Sequence, residues 1–67
     1  MSDEIEKLKA EAEKYRSMKV KSAAAEKLFE ASIRLKDKGE DSEAISLLVE
    51  AIKLYEEERT GKIEEFL

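Results

Sequence analysis

Residues 28–51 read LFEASIRLKDKGEDSEAISLLVEA, and this stretch decides the fold of the 67-residue chain. Apolar residues recur at helical spacing on both sides of Gly39. Gly39 is expected to end the earlier helix, because glycine enters the left-handed C-terminal cap without a side-chain penalty. Asp41 or Ser42 can then cap the later helix through its side-chain oxygen. The stretch therefore predicts a helical hairpin with a very short turn.

The segment upstream of the hairpin carries a helical stripe of its own. Its apolar residues are spaced 3-4-3, and they are Ile5, Leu8, Ala12 and Tyr15. At roughly 100° per residue, this stripe points about 140° away from the stripe of residues 20–35. A single partner could not cover both halves of an unbroken helix, so we expect a break around Ser17–Ser22, with Ser22 as the N-cap. The alternative is a long helix over residues 3–38, forming a hairpin that dimerises into a four-helix bundle.

The third helix is the most apolar part of the chain. Its apolar residues spread over roughly 220° of the helical wheel, far wider than the stripe of an ordinary surface helix. We therefore expect this helix to touch neighbours on two sides and to be the central element. Thr60-Gly61 is expected to end or kink it. The short apolar tail over residues 60–67 then either folds back onto the bundle or continues the helix.

These patterns predict an all-α fold, a three-helix up-down-up bundle that forms a single domain over residues 1–67. The helices are expected near residues 3–18, 22–38 and 42–59, followed by the tail. The predicted core takes residues from all three helices: Ile5, Leu8, Ala12, Tyr15, Ala24, Leu28, Ala31, Leu35, Ile45, Leu48, Ala51, Ile52 and Tyr55.

The composition excludes several kinds of chemistry. The chain has no Cys and no His, so zinc, haem and iron–sulfur sites lack their usual ligands. Its serines have no histidine base, so we predict no enzyme, no catalytic residue, no metal and no cofactor. No apolar run is long enough to span a bilayer, which predicts no membrane partner. The acidic N-terminus does not fit a secretory signal, which favours a cytoplasmic or recombinant setting.

The hairpin from Leu28 to Ala51 resembles one tetratricopeptide unit, in which small and large apolar positions alternate around a Gly-acidic turn. The positions that carry the likeness are Leu28, Ala31, Ser32, Leu35, Gly39, Ala44, Leu48 and Ala51. The first two helices of the three-helix MIT (microtubule-interacting and transport) domain have a similar pattern. Proteins of both families bind short helical or C-terminal peptides, so the resemblance implies a peptide-binding role.

The first functional hypothesis is a non-catalytic protein–protein interaction module that buries a partner helix or peptide, or a second copy of itself. This hypothesis is based on the wide apolar face of the third helix. Val49 and Leu54 lie near the edges of that face. Together with Ile63 and Phe66 of the tail, these are the residues predicted to contact the partner.

Two alternatives come from other features. The absence of Cys, His, Trp and Pro, together with tidy helix caps, is typical of a designed or engineered helical scaffold with no native activity. A basic cluster between Lys14 and Lys21 could instead bind nucleic acid weakly. The competing explanation for this cluster is charge balance against the acidic third helix, and the net charge of −4 disfavours a nucleic-acid partner.

Overall fold

The computed structural model describes residues 3–66 of the chain, and the side chains of residues 4–62. It contains three helices: α1 (Asp3–Ser17), α2 (Lys21–Asp37) and α3 (Asp41–Phe66). These helices confirm the all-α three-helix bundle, and the described residues include no strand. The chain leaves the helical conformation between α1 and α2, so the alternative of one continuous helix over residues 3–38 is wrong.

Gly39 ends α2 as the sequence predicts. Its φ of +82° lies in the left-handed region, and the N–H of Glu40 donates a hydrogen bond to the carbonyl of Leu35 at 2.9 Å. The N–H of Gly39 donates to the carbonyl of Lys36, also at 2.9 Å. The two bonds form a Schellman motif, which satisfies carbonyls that a helix end would otherwise leave unpaired.

The turn between α1 and α2 has the same hydrogen bonds without a glycine. The N–H of Val20 donates to the carbonyl of Tyr15 at 2.9 Å, and that of Lys19 donates to Arg16 at 3.0 Å. Lys19 takes the left-handed position, with a φ of +63°, although it carries a side chain. The N-cap position of α2 belongs to Val20, whose side chain makes no capping bond, so the prediction of Ser22 as N-cap is wrong.

The two turns repeat with a period of 20 residues. The hydrogen bond between residues 20 and 15 recurs between residues 40 and 35, and the bond between residues 19 and 16 recurs between residues 39 and 36. The starts of α2 and α3 are also 20 residues apart. The chain therefore uses one helix–turn–helix geometry twice, and α2 belongs to both copies.

Substitutions at the two left-handed positions test the strain at Lys19. A residue with a side chain pays roughly 1–2 kcal/mol for this conformation, so we expect Lys19→Gly to raise the free energy of unfolding by about 1 kcal/mol. Gly39→Ala should lower it by a similar amount, because a Cβ there would meet no atom within 4 Å and only backbone strain would remain. Chemical denaturation followed by circular dichroism measures both. Equal stabilities for Lys19→Gly and the wild type would contradict the strain.

Helix α2 is the central element of the bundle. Both α1 and α3 pack against it, and no Cα atom of α1 lies within 8 Å of a Cα atom of α3 in the described part of the chain. The prediction that the third helix is central is therefore wrong. The core draws on all three helices: Ile5, Leu8, Ala12, Ala24, Ala25, Leu28, Ala31, Leu35, Ala44, Leu47, Ala51 and Leu54, with Tyr15 packed against them.

Two ion pairs join α1 to α3 alongside α2. The Nζ of Lys9 lies 2.6 Å from Oε1 of Glu43, and Nη1 of Arg16 lies 3.4 Å from Oε1 of Glu50. The partners are 34 positions apart in both pairs. The pairs are therefore spaced evenly along the two helices, which run parallel and level with each other. All four side chains are partly exposed, so each pair contributes modestly to stability.

The ion pair of Lys9 predicts a pH dependence of stability. Its hydrogen bond to Glu43 raises the pKa of Lys9 above the ordinary value of 10.5. The pair therefore stabilises the fold below that value, and its contribution is lost as the pH rises through the raised folded-state pKa. We expect Lys9→Gln to lower the free energy of unfolding by less than about 1 kcal/mol near neutral pH, and the difference to vanish in strongly alkaline solution.

The control for this prediction is Lys7→Gln, which removes an exposed lysine from the same helix. Urea denaturation across the pH range compares the two variants with the wild type. Identical pH profiles for Lys9→Gln and Lys7→Gln would contradict a stabilising role of the pair.

Helix α3 extends further than the sequence predicts. It runs through Thr60 and Gly61 to Phe66, so the prediction that it ends at Thr60-Gly61 is wrong. A glycine inside a helix costs only about 1 kcal/mol relative to alanine, which is not enough to end a helix by itself. Of the two arrangements left open for the tail, the structure shows continuation of the helix.

Candidate protein-interaction surface

Helix α3 divides its apolar residues between two faces. One face packs on α2 and is buried; it consists of Ala44, Leu47, Ala51 and Leu54. On the other face, Ile45 is 61% exposed, Ile52 is 52% exposed and Tyr55 is 44% exposed. The prediction that these three residues belong to the core is wrong, because α3 packs against α2 alone and the rest of its circumference is uncovered.

Helix α2 adds two large side chains to the exposed face of α3. Phe29 and Ile33 lie one helical turn apart, and each is nearly half exposed. Together with α3 they form a continuous surface, termed here the apolar face, which consists of Phe29, Ile33, Ile45, Leu48, Val49, Ile52 and Tyr55. An open groove of about 480 Å³ runs between Ile33 and Ile45, and no residue of α1 lines it.

The two long edges of the apolar face differ in charge. Glu26, Lys27 and Glu30 line a second groove on the α2 edge. The ammonium of Lys27 pairs with a carboxylate of α1, so the two glutamates make this edge acidic. On the α3 edge, both Lys53 and Glu56 are exposed. The face is therefore an apolar strip with an acidic edge on one side and an edge of mixed charge on the other. Exposed apolar patches rimmed by polar residues commonly mark interaction sites.

The residues predicted to contact a partner are in different environments. Val49 lies on the apolar face and is 44% exposed, so its role in partner contact stays a prediction. Leu54 is 6% exposed and packs in the core, which removes it from the candidate set. Ile63 and Phe66 lie outside the residues whose side chains the structure describes.

The sequence patterns did not identify Phe29 and Ile33 as surface residues of the site. The available signal was their spacing, because apolar residues at i and i+4 lie on the same side of a helix. Both lie beside the buried stripe of α2, which contains Leu28, Ala31 and Leu35. Because that stripe already fills the core side of α2, Phe29 and Ile33 are not needed for the core. Two further large apolar residues beside it indicate a contact with another element.

Two of the four basic residues between Lys14 and Lys21, and Lys27 further along, pair with acidic residues within the molecule. Arg16 pairs with Glu50, and the Nζ of Lys21 lies 3.2 Å from Oε1 of Glu57. Lys27 lies 3.8 Å from a glutamate carboxylate of α1. These contacts favour intramolecular charge balance as the explanation of the basic cluster.

Other kinds of site find no counterpart in the described residues. Among the side chains of residues 4–62, no three of the His, Cys, Asp and Glu types are grouped to hold a metal ion. No helix in that part of the chain is both long and apolar enough to cross a membrane. No protein-family model matches the sequence, and no curated protein or solved structure matches it either. A functional proposal therefore depends on the apolar face itself.

A matched pair of truncations on α3 tests the assignment of its two faces. Leu54→Ala should lower the free energy of unfolding by about 2–4 kcal/mol, because it leaves a cavity in the core. Ile52→Ala should lower it by less than about 1 kcal/mol, because half of that side chain is already in solvent. Urea denaturation of dilute protein measures both. A larger loss for Ile52→Ala than for Leu54→Ala would show that the faces are reversed.

Proposed function

We propose that this protein is a non-catalytic interaction module that binds an amphipathic helix along its apolar face. The helix comes from a partner protein or peptide, or from a second copy of the chain. The observation that carries the proposal is the continuous surface of large apolar side chains across α2 and α3. A small domain gains stability by burying such residues, so a surface that leaves them exposed is expected to have a binding role.

The 20-residue period of the chain indicates what kind of element fits the face. Arg34 lies on the side of α2 that faces α1, and the residue 20 positions later, Leu54, is buried against α2. Ser32 lies on the side of α2 that faces α3, and the residue 20 positions later, Ile52, is exposed. The exposed side of α3 therefore corresponds, 20 residues later, to the side of α2 on which α3 packs. A further antiparallel helix is the occupant that fits it.

The resemblance of the hairpin to a tetratricopeptide unit supports a helix-binding role. In arrays of such units, each hairpin leaves an apolar surface that the next unit covers. The 34-residue offset between the ion-paired positions of α1 and α3 equals the length of that repeat. Membership of the tetratricopeptide or MIT families stays a prediction.

The two other hypotheses receive less support. An idealised design avoids left-handed residues other than glycine and caps its helices with side chains. Lys19 is left-handed in this chain, and Val20 makes no side-chain capping bond. Nucleic-acid binding by the cluster from Lys14 to Lys21 would compete with the ion pairs that Arg16 and Lys21 form within the fold. We therefore favour the interaction module.

A fluorescent label on the apolar face tests the proposal. The chain has no cysteine, so Ile45→Cys provides a single attachment site for an environment-sensitive dye. The probe is a helical peptide of Leu and Lys, about 18 residues long or five turns, with its Leu residues on one face. We expect saturable binding of this peptide, weakened at least tenfold by Ile33→Asp, because a buried carboxylate opposite the peptide is costly.

Two controls separate helix binding from charge attraction. Ser46→Cys carries the same dye on an exposed polar position of α3 and should report no change. A scrambled peptide of the same composition lacks the apolar stripe and should bind weakly. Equal binding of the two peptides, or no signal from the label at position 45, would overturn the proposed function.

A further inference from the structure

We propose that the occupant of the apolar face is a second copy of this chain, bound so that α3 of one protomer packs against α2 of the other. The two protomers are related by a two-fold axis parallel to the helices. This inference rests on the proposed function, since it assigns the partner that uses the same face. Two independent observations support it: the area of the face and the placement of the charges around it.

The apolar face supplies most of the area that a stable dimer needs. Six of its side chains are between 44% and 61% exposed. At roughly 150–200 Å² for each side chain when fully exposed, they present about 500 Å² per protomer. Two faces in contact would therefore remove about 1,000 Å² of apolar area, to which the polar edges add, and specific interfaces bury about 1,200–2,000 Å² in total.

Charge distinguishes between the two symmetric ways of stacking the faces. Both place four antiparallel helices at the centre of the dimer. With the axis perpendicular to the helices, α2 lies on α2 of the partner, and the acidic edges with Glu26 and Glu30 meet each other. With the axis parallel to the helices, α2 lies on α3 of the partner, and the acidic edge meets the edge that carries both Lys53 and Glu56 and so has no net charge. Like charges across an interface are costly, so the parallel axis is favoured.

The heights of these residues along the bundle match in the parallel-axis dimer. Rotation about an axis parallel to the helices leaves every residue at its own height. Glu26 and Glu30 lie beside Tyr55 in the same groove of one chain. Lys53 is two residues from Tyr55, about 3 Å along the helix. Lys53 of one protomer therefore lies level with Glu26 and Glu30 of the other.

The end of the face nearest the Gly39 turn repeats this complementarity. Lys36 of α2 and Asp41 of α3 both line the groove there, at similar heights. Because α2 and α3 exchange places across the parallel-axis interface, Lys36 of one protomer faces the region of Asp41 of the other. Lys36 and Asp41 thus bring opposite charges together at this end of the contact, and Lys53 meets Glu26 and Glu30 further along it.

Reciprocal charge variants test this arrangement by sedimentation at micromolar to millimolar concentration. The wild type is expected to form a concentration-dependent dimer. Lys53→Glu, and the double variant Glu26→Lys with Glu30→Lys, should each weaken dimerisation about tenfold, because each places like charges across the interface. Mixing the two variants should restore dimerisation in the form of a heterodimer. Lys7→Glu makes the same charge change on α1, remote from the face, and should leave the dimer unchanged.

The outcomes separate the dimer from the proposed function. A wild type that stays monomeric at millimolar concentration overturns the dimer, whereas saturable binding of the amphipathic peptide would still uphold the interaction module. The parallel-axis arrangement is overturned if the charge variants dimerise with the same affinity as the wild type. It is also overturned if the mixture of the two variants forms no heterodimer. Absence of both the dimer and peptide binding overturns both proposals. The substituted residues are exposed, so circular dichroism should show an unchanged fold in every variant.

Discussion

Close packing at the alanines of α2 is the interaction on which the rest of the structure depends. Ala24, Ala25 and Ala31 have no exposed surface. Because these side chains are small, the neighbouring helices can approach the axis of α2 and bury their own leucines against it. The ion pairs between α1 and α3 are partly exposed and contribute little by comparison. Without α2 between them, neither outer helix would have a core.

This dependence on one central helix explains why an apolar surface is left over. The ion pairs place α1 beside the side of α3 that carries Glu43 and Glu50. Ile45 and Ile52 each follow one of these glutamates by two residues, so the apolar face points about 200° away from them around the helix. Helix α1 therefore lies on the opposite side of α3 from the apolar face. The bundle is accordingly flat, with extents of 45 × 20 × 11 Å. Helix α2 is the only helix that packs on α3 in the described part of the chain, and the apolar face is the side of α3 that α2 leaves uncovered.

Local chemistry predicted the number of helices and both turns, but it did not predict which face of α3 is buried. Gly39 identified one turn by its conformational freedom, and the phase shift between the first two stripes placed the other within Ser17–Ser22. Lys19 carried no signal, because its left-handed conformation is imposed by the hydrogen bonds of the turn and not by any preference of lysine. The position of the break between α1 and α2 was therefore predictable from the sequence, but the left-handed conformation of Lys19 was not.

The two faces of α3 show why periodicity alone was insufficient. The buried set and the set on the apolar face both repeat with the spacing 3-4-3. The buried set is Ala44, Leu47, Ala51 and Leu54, and the other set is Ile45, Leu48, Ile52 and Tyr55, of which Leu48 is partly buried. Either set satisfies the pattern of a core stripe, and the position of α2 decides between them. The alanines were the available clue, because small residues belong where two helices approach closely. The predicted core of the third helix, Ile45, Leu48, Ala51, Ile52 and Tyr55, mixed residues of the two sets.

The distribution of residue sizes links stability to binding. Among the described residues, Leu35 is the largest side chain that is fully buried, while three isoleucines (Ile33, Ile45 and Ile52), Phe29 and Tyr55 are about half exposed. A chain of this length buries only about 60% of the surface that its unfolded form exposes, so its margin of stability is small. A helix that covers the apolar face would add the burial that this core lacks, and binding to the native state alone stabilises it by mass action. The residues that the isolated bundle leaves in solvent are therefore those through which an occupant would complete its core.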